Sequence, residues 1–228
     1  MDDLWTRFSG EVRGAWLGSA LAGLSHTTTG HILQGAVEIR LPVGPLPSPS
    51  LTPDQDTVFL LVVSGLVRTF RRNDTRQVTT RYAGRCDFVG IPSVIRHGSS
   101  AHGEILADAH MLRMVPGRLR EAVRHDAASA WVVMQEVARL HDAAVDMACD
   151  NVFLSVRQRV ARHLLDLAAR EPDGLIVYAS HQDIANAVGS VREVVSRALR
   201  ELREEGLVTR TGDRLVLTRP AGLTASHR

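Results

Sequence analysis

Apolar residues near the C-terminal end of the chain recur at intervals of three and four residues, as on one face of an α-helix. In the stretch NAVGSVREVVSRALRELREEGLV, residues 186–208, the apolar positions are Val191, Val194, Val195, Ala198, Leu199 and Leu202. The polar positions between them, which share the opposite face, are Arg192, Glu193, Ser196, Arg197 and Arg200. The pattern predicts an amphipathic helix with one buried face and one charged, exposed face.

A shorter helix and a tight turn are predicted directly before it. Ser180 and Asp183 have the spacing of a capping box, which marks the start of a helix. Gly189 lies where the chain leaves this short helix, a position that favours a left-handed backbone. Two helices joined in this way form a helix-turn-helix. The following segment, VTRTGDRLVLTRP, has the pattern of two strands with a turn at Gly212-Asp213, which is the wing of a winged helix.

The first half of the chain has a different pattern, in which short apolar runs are broken by turn residues from about His26 to Pro116. Strands are predicted over residues 57–70, 77–83, 86–92 and 109–116, and a loop over residues 41–53, which contain five prolines. Several short strands at this spacing predict an antiparallel β-roll or β-sandwich. A short helix is predicted before them, over residues 2–24.

Helical periodicity begins after Pro116 and includes a two-heptad apolar seam. The positions of this seam are Val133, Val137, Leu140, Ala144 and Met147. A seam of this kind packs on its own domain or on the same helix of a second subunit, and we favour the dimer. Another helix is predicted over residues 155–170. The expected α+β organisation is an N-terminal helix and β-roll (1–116), a long dimerisation helix (117–150) and a winged helix-turn-helix (151–228).

Composition narrows the classes of protein to consider. All 27 basic residues are arginines, and residues 151–228 hold 12 of them against 9 acidic residues, a balance of +3. Residues 1–150 hold 15 arginines against 16 acidic residues, a balance of −1. Cys86 and Cys149 are the only cysteines, so one chain cannot build a disulfide framework or supply four ligands to an iron–sulfur cluster. With no signal peptide or apolar span in the pattern, we expect a cytoplasmic protein.

The exposed residues of the second helix are of the types that read base edges in the major groove. Arginine donates two hydrogen bonds to guanine O6 and N7, and glutamate accepts one from cytosine N4. A serine hydroxyl bonds a base or a phosphate. The residues predicted to contact double-stranded DNA are Ser180, His181, Gln182, Arg192, Glu193, Ser196, Arg197 and Arg200.

These residues resemble the transcription regulators of the cyclic-AMP receptor protein and fumarate–nitrate regulator (CRP/FNR) superfamily. QDIANAVGSVREVVSRALRELREEGLV is similar to their helix-turn-helix nearly position by position, and NVFLSVRQRVARHLLDLA, FLLVVSGLVRTF and GRCDFVGIP extend the likeness over about residues 26–220. The resemblance implies a cyclic-nucleotide-binding-type β-roll, a long dimerisation helix and a homodimer on a palindromic site, with RNA polymerase as a partner. The implied base-reading residues are Arg192, Glu193 and Arg197, with Ser196 added from the fumarate–nitrate branch.

The chain departs from the cyclic-AMP-binding members at three places. Ile91 stands where their ribose-binding glutamate is expected, and no arginine occurs between Arg96 and Arg113 to hold the phosphate. Ala144 and Val145 stand where hydroxyl residues contact the purine. An anionic cyclic phosphate needs charge-assisted donors, so we do not expect cyclic AMP to be the effector. The positions expected to line an effector pocket are Gly90, Ile91, Ser99, Ser100, Ala144 and Val145.

Several alternatives remain open from the sequence. Cys86 with His97, His102 or His110 offers haem ligands, although a single cysteine in an apolar run is usually a core residue. Otherwise the roll binds another small effector or is purely structural. We predict no enzymatic activity, no metal and no fixed cofactor. The competing classes are a metal-dependent β-barrel enzyme and a ligand-binding interaction protein whose winged helix does not read DNA.

Overall fold

The computed structural model describes residues 3–47, 57–72, 77–96, 102–171, 174–212 and 214–225. Its contacts divide the chain into two compact units. The first unit consists of Met1–Thr69 and Ala83–Ala143, and the second of Phe70–Tyr82 and Ala144–Arg228. The mixed helix and sheet architecture predicted from the sequence is confirmed.

The first sheet contains the predicted strands and two that the sequence pattern missed. In chain order its strands are β1 (Val37–Leu41), β2 (Gly44–Pro45), β3 (Leu60–Arg72), β4 (Gln77–Ala83), β5 (Phe88–Val89) and β6 (His102–Arg113). Their order in the sheet is β1-β6-β3-β4, with β2 paired to β6 and β5 to β3. β1 runs antiparallel to β6 in a register that places Ile39 opposite Met111.

Capping residues determine where several helices between residues 10 and 153 begin and end. The helices in this range are α1 (Gly10–Leu17), α2 (His26–Leu33), α3 (Ile91–Arg96), α4 (Pro116–His125) and α5 (Ala127–Phe153), and a 3-10 turn covers Asp3–Trp5. The single helix predicted over residues 2–24 is therefore wrong, because the Ser9 side chain caps α1 and Gly18 ends it. Ser25 caps α2 in the same way, where strand-like sequence was predicted to begin.

The predicted long helix over residues 117–150 is interrupted at Asp126. This residue has extended backbone angles (φ −133°, ψ 110°) and separates α4 from α5. Its carboxylate accepts hydrogen bonds from the Ser129 hydroxyl and, at 3.1 Å, from the Ala128 N–H. These bonds, the one from Ser129 first, lower the pKa of Asp126. Asp126 thus acts as the cap of α5, which the periodicity of the apolar residues could not show.

The core of the first unit is built around aromatic contacts. The Phe88 ring stacks on Phe59 with centroids 5.8 Å apart and meets Trp16 edge-on at 5.9 Å. Val133 of α5 is 3% exposed and belongs to the same cluster. A second cluster, which includes Val62, lies apart from it. Because alternate side chains of a strand point to opposite faces, the two clusters explain the unbroken apolar run at the start of β3.

The turn after β5 corrects another prediction. Strand was expected to continue to residue 92, but Gly90 has φ +103°, and α3 follows directly. A Cβ atom on Gly90 would lie 1.7 Å from the Val58 carbonyl oxygen, so only glycine fits. Ile91 is fully buried in the core of the first unit. Neither residue therefore presents a side chain to an effector, which corrects their prediction as pocket-lining residues.

His110 of β6 is buried between two carboxylates. Its Nε2 lies 2.8 Å from Glu38 Oε2 and its Nδ1 lies 3.2 Å from Glu11 Oε2. Both ring nitrogens of His110 therefore lie within hydrogen-bond distance of a carboxylate oxygen. Burial raises the pKa of Glu38, but hydrogen bonds from the Ser9 N–H, His110 and the Ser9 hydroxyl outweigh it, and the net shift is downward. The contribution of Glu38 to stability is therefore present above its unfolded pKa and lost as pH falls through the lowered value.

Replacing His110 by glutamine is expected to lower the free energy of unfolding by about 1–3 kcal/mol, because the buried imidazole bonds two carboxylates and the shorter amide cannot reach both. Urea unfolding at pH 6 measures this change. His125→Gln, an exposed histidine at the end of α4, is the matched control and is expected to have little effect. A loss below about 0.5 kcal/mol would show that the cluster does not stabilise the fold.

The second unit contains the predicted helix-turn-helix and wing. Its remaining elements are α6 (Val156–Leu167), β7 (Ala169–Glu171), β8 (Gly174–Val177), α7 (His181–Ala187), α8 (Arg192–Glu204), β9 (Val208–Thr211), β10 (Arg214–Leu217) and α9 (Pro220–Ala225). The small sheet has the order β7-β8-β10-β9 and is antiparallel. The helix predicted to reach residue 170 ends at Leu167, because the β7–β8 hairpin follows, and Gly174 of this hairpin has φ +121°.

Two features hold the second unit together. Its apolar core includes Leu164 of α6 and Leu202 of α8, both with no exposed surface. The last residues of β3 and all of β4 except Ala83 also belong to this unit. The Tyr82 hydroxyl of β4 lies 2.7 Å from Nε2 of His163 on α6. The expected wing is confirmed as β9 and β10, while Asp213 of its turn lies outside the described residues.

Candidate DNA-binding surface

The start of α7 has the capping box predicted from the sequence. The Ser180 Oγ accepts a hydrogen bond from the Asp183 N–H at 3.1 Å, and the Asp183 carboxylate accepts one from the Ser180 N–H at 2.9 Å. Gly189, in the turn between α7 and α8, has φ +64°, the left-handed conformation expected there. These local signals determine where α7 begins and where the chain turns towards α8.

Helix α8 has one buried and one exposed face, as its periodicity predicts, except that Val191 lies just before the helix and is 53% exposed. The buried residues are Val195, Ala198, Leu199 and Leu202. The exposed residues are Arg192, Glu193, Arg197 and Arg200. In the parts of the chain that the structure describes, no carboxylate lies within ion-pair distance of these three arginines. Their positive charge is therefore available to an anionic partner.

Ion pairs fix α8 against α6. Arg157 Nη2 lies 2.6 Å from Glu205 Oε2, and its Nε lies 3.6 Å from Glu201 Oε2. Exposed pairs of this kind contribute little to stability singly. Glu201 of α8 and Glu205 just after it thus pair within the protein, and the arginines nearer the N-terminal end of α8 are left exposed.

Ser196 differs from its neighbours on α8, because it is half-buried and lies against α7. Its Oγ is 2.8 Å from Nδ1 of His181. Partial burial lowers the pKa of His181, and the charges of Arg210, Arg203 and Arg192 lower it further. Arg210 and Arg203 were missed from the sequence, because their proximity to His181 depends on how β9 and α8 pack.

The first helix of the motif supplies the other predicted contacts. Gln182 is exposed, and its side-chain amide donates to the Asn186 side-chain oxygen at 2.9 Å. The Ser180 hydroxyl is engaged by the cap, so only its remaining lone pair is free for another bond. The structure places Ser180, His181 and Gln182 together at the N-terminal end of α7, and Arg192, Glu193, Ser196, Arg197 and Arg200 along α8.

Only some of the residues predicted to line an effector pocket lie in the part of the chain that the structure describes. Ser99 and Ser100 lie outside the described residues, and so does His97. Ala144 and Val145 are exposed on α5. The first unit does contain an open cavity of about 470 Å³, but different residues line it, among them Arg85, Cys86, Glu136 and Arg139. Within the described ranges, no group of three histidine, cysteine or acidic residues could hold a metal ion.

The predicted apolar seam of α5 is also only partly exposed. Val133 is buried in the core of its own unit and Val137 packs against that core, so Val133 cannot form a surface for a second subunit. Leu140 and Met147 are half-buried, and Ala144 is exposed. A different set of positions at three- and four-residue steps is exposed: Trp131, Met134, Ala138, His141, Val145, Ala148 and Val152.

A helix-turn-helix with a wing, a cationic face on its second helix and a separate antiparallel sheet unit define a DNA-binding regulator. Residues 158–226 match the Crp-like helix-turn-helix domain family. The cAMP-activated global transcriptional regulator Vfr of Pseudomonas aeruginosa is 28% identical over 172 residues, which cover 71% of this chain and 80% of that protein. The protein is a DNA-binding transcription regulator, and it is similar to regulators of the CRP/FNR type.

Solved structures show the same architecture. A CRP-family transcriptional regulator from Thermus thermophilus is 25% identical, with a TM-score of 0.66 over 83% of this chain and 96% of that chain. A structure assigned to the Crp/Fnr family from Eubacterium rectale has a TM-score of 0.72 at 21% identity, over 91% of this chain and 96% of that chain. The latter likeness shows the shared fold. Among the described residues, no helix is long and apolar enough to cross a membrane.

Proposed function

We propose that two copies of the chain bind a two-fold symmetric DNA site, each placing α8 in the major groove of one half-site. The observation that carries this proposal is the exposed face of α8, on which three arginines stand opposite a fully packed apolar face. Arg192, Glu193, Ser196 and Arg197 would read base edges. Ser180, His181, Gln182 and Arg200 would contact the backbone and set the register of the protein on the duplex.

The exposed positions of α5 named above, from Trp131 to Val152, are apolar except for His141 and form a stripe that supports the homodimer. Trp131 is 58% exposed, Met134 53% and Val152 76%. Alternating steps of three and four residues keep one seam of a helix facing its partner along a coiled coil. Homodimers on palindromic sites are typical of this family. We therefore place the dimer contact on this stripe and no longer on the seam that begins at Val133.

Val145→Glu is expected to raise the dissociation constant of the dimer by about a hundredfold or more, because each subunit would bury a carboxylate without a partner. Light scattering across a concentration series measures the molar mass, and DNA binding at nanomolar protein is expected to fall with it. Ala143→Glu adds the same charge to an exposed position off the stripe and should stay dimeric. If the Val145→Glu variant stays dimeric, the interface does not lie on this stripe.

We infer that the β-roll does not use cyclic AMP, although Vfr is by name cAMP-activated. The residue expected at the ribose-binding position, Ile91, is buried in the core, and no arginine occurs between Arg96 and Arg113 to hold a phosphate. Another small effector would shift the relative orientation of the two subunits through α5, or the roll would be purely structural. The protein would act by binding and not by catalysis, in the cytoplasm, with RNA polymerase as its partner on DNA.

A further inference from the structure

The contact between His181 and Ser196 joins the two helices of the motif at the proposed reading surface. His181 is the first residue of α7, Ser196 lies in the second turn of α8, and both are half-buried. Their Nδ1 and Oγ atoms are 2.8 Å apart, a normal hydrogen-bond length. Ser196 is therefore the one proposed base-reading residue whose polar atom is already bonded within the protein.

The direction of this hydrogen bond depends on the imidazole. A serine hydroxyl carries one hydrogen and can donate once. When the His181 ring is neutral with its hydrogen on Nε2, the Ser196 hydroxyl donates to Nδ1 and offers only lone pairs to DNA, suited to cytosine N4 or adenine N6. When Nδ1 carries a proton, it donates to Ser196, and the serine hydrogen is free for thymine O4 or a purine N7.

The charges around His181 couple its protonation to DNA. Arg192 and Arg203 of α8 and Arg210 of β9 face it, while the nearby Asp183 is held by Ser180. In the free protein partial burial and these arginines lower the pKa of His181, so the neutral ring dominates near pH 7. DNA phosphates would neutralise the same arginines and favour the charged ring. Binding would then take up a proton, so affinity would rise as pH falls.

We propose that His181 is a positioning residue for base reading, which sets the donor or acceptor character of the Ser196 hydroxyl and takes up a proton when the protein binds DNA. The proposal rests on the reading surface described above. It predicts that both the affinity and the base preferred at one position of each half-site change with pH.

The test uses the full-length protein and its selected duplex site, with dissociation constants measured from pH 5.5 to 8.5 at constant ionic strength. For the wild type, affinity is expected to rise about tenfold from pH 8 to pH 6. His181→Asn, whose amide can still bond Ser196 but does not titrate, should reduce this change to about twofold or less. His125→Asn removes an exposed histidine of α4 and should keep the wild-type profile.

Site selection at two pH values tests whether His181 changes the base that Ser196 reads, in addition to taking up a proton. Site selection at pH 6 and at pH 8 should differ at one base position for the wild type, and should not differ for His181→Asn. Ser196→Ala should keep the pH dependence of affinity but lose the change in base preference. The proposal would be overturned if the affinity of the wild type did not change with pH. It would also be overturned if His181→Asn showed the same pH dependence as the wild type.

The reading surface itself is checked by Arg197→Ala. If that variant binds the selected site normally, α8 is not the reader, and the proposal for His181 falls with it. If Arg197→Ala loses affinity while His181→Asn keeps the full pH response, only the role of His181 is overturned. Thermal unfolding of each variant confirms that it is folded before binding is measured.

Discussion

Replacing Arg197 by alanine is expected to weaken binding to the selected DNA site by about 1–3 kcal/mol per half-site. In a dimer the change is made twice, so the total loss is roughly 2–6 kcal/mol. The reason is that Arg197 is exposed on the reading face, has no acidic partner among the described residues, and carries two donors suited to guanine O6 and N7. Fluorescence anisotropy with the selected duplex measures the loss.

The same variant should also relax the preference for one base. A duplex in which the guanine paired with Arg197 is replaced lacks this contact even for the wild type. Arg197→Ala is therefore expected to bind that duplex about as well as the wild type does. Arg124→Ala removes one exposed arginine of α4 and is the control for general electrostatic attraction to DNA. Equal losses for Arg124→Ala and Arg197→Ala would show that Arg197 contributes charge alone.

Leu202→Ala is expected to lower the free energy of unfolding of the second unit by about 2–5 kcal/mol. Leu202 has no exposed surface and lies in the apolar core beneath the reading face, so its truncation leaves a cavity. DNA binding should be lost at temperatures where this unit unfolds, although Leu202 touches no DNA in the proposed complex. Urea unfolding followed by circular dichroism measures the change.

The location of the tryptophans makes this measurement specific. Trp5, Trp16 and Trp131 all lie in the first unit, so tryptophan fluorescence follows that unit alone. Leu202→Ala should move the circular dichroism transition more than the fluorescence transition. Leu17→Ala truncates a leucine that is 61% exposed and should move neither by much. Equal shifts of both signals in Leu202→Ala would mean that the units unfold as one.

The winged helix could be predicted closely because its signals are local. Ser180 and Asp183 are three residues apart, Gly189 must adopt a positive φ, and the apolar steps of α8 all fall within 12 residues. Each of these features depends on neighbours in sequence, so the pattern alone contains them. Which polar residues of α8 are exposed follows from which apolar residues are buried, except at Ser196, which packs against α7.

The β-roll unit was predicted less well because its boundaries depend on contacts between distant segments. Only glycine fits at position 90, because the Val58 backbone lies against it. Helix α3 then begins where a strand was expected. Asp126 is an ordinary polar residue by pattern, yet its bonds to Ser129 and Ala128 start a new helix. β1 pairs with β6, whose partner residues lie about 70 positions later in the chain.

Two properties of the reading and dimer surfaces could not be predicted for the same reason. His181 and Ser196 are 15 residues apart, and their contact exists only because α7 packs on α8. On α5, the buried Val133 and the exposed Trp131 both belong to stripes with three- and four-residue steps. Periodicity identifies such stripes, but only the packed fold shows which one faces the core of its own unit.

The most direct measurement is selection of binding sites from random duplex DNA by the purified full-length protein without added ligand. Reading of DNA by two copies of α8 predicts enrichment of a two-fold symmetric sequence with half-sites about one helical turn apart. Arg197→Ala should then lose one base of each half-site from the enriched sequence. Enrichment of an asymmetric site, or of the same symmetric site by Arg197→Ala, would contradict reading by a dimer through this face of α8.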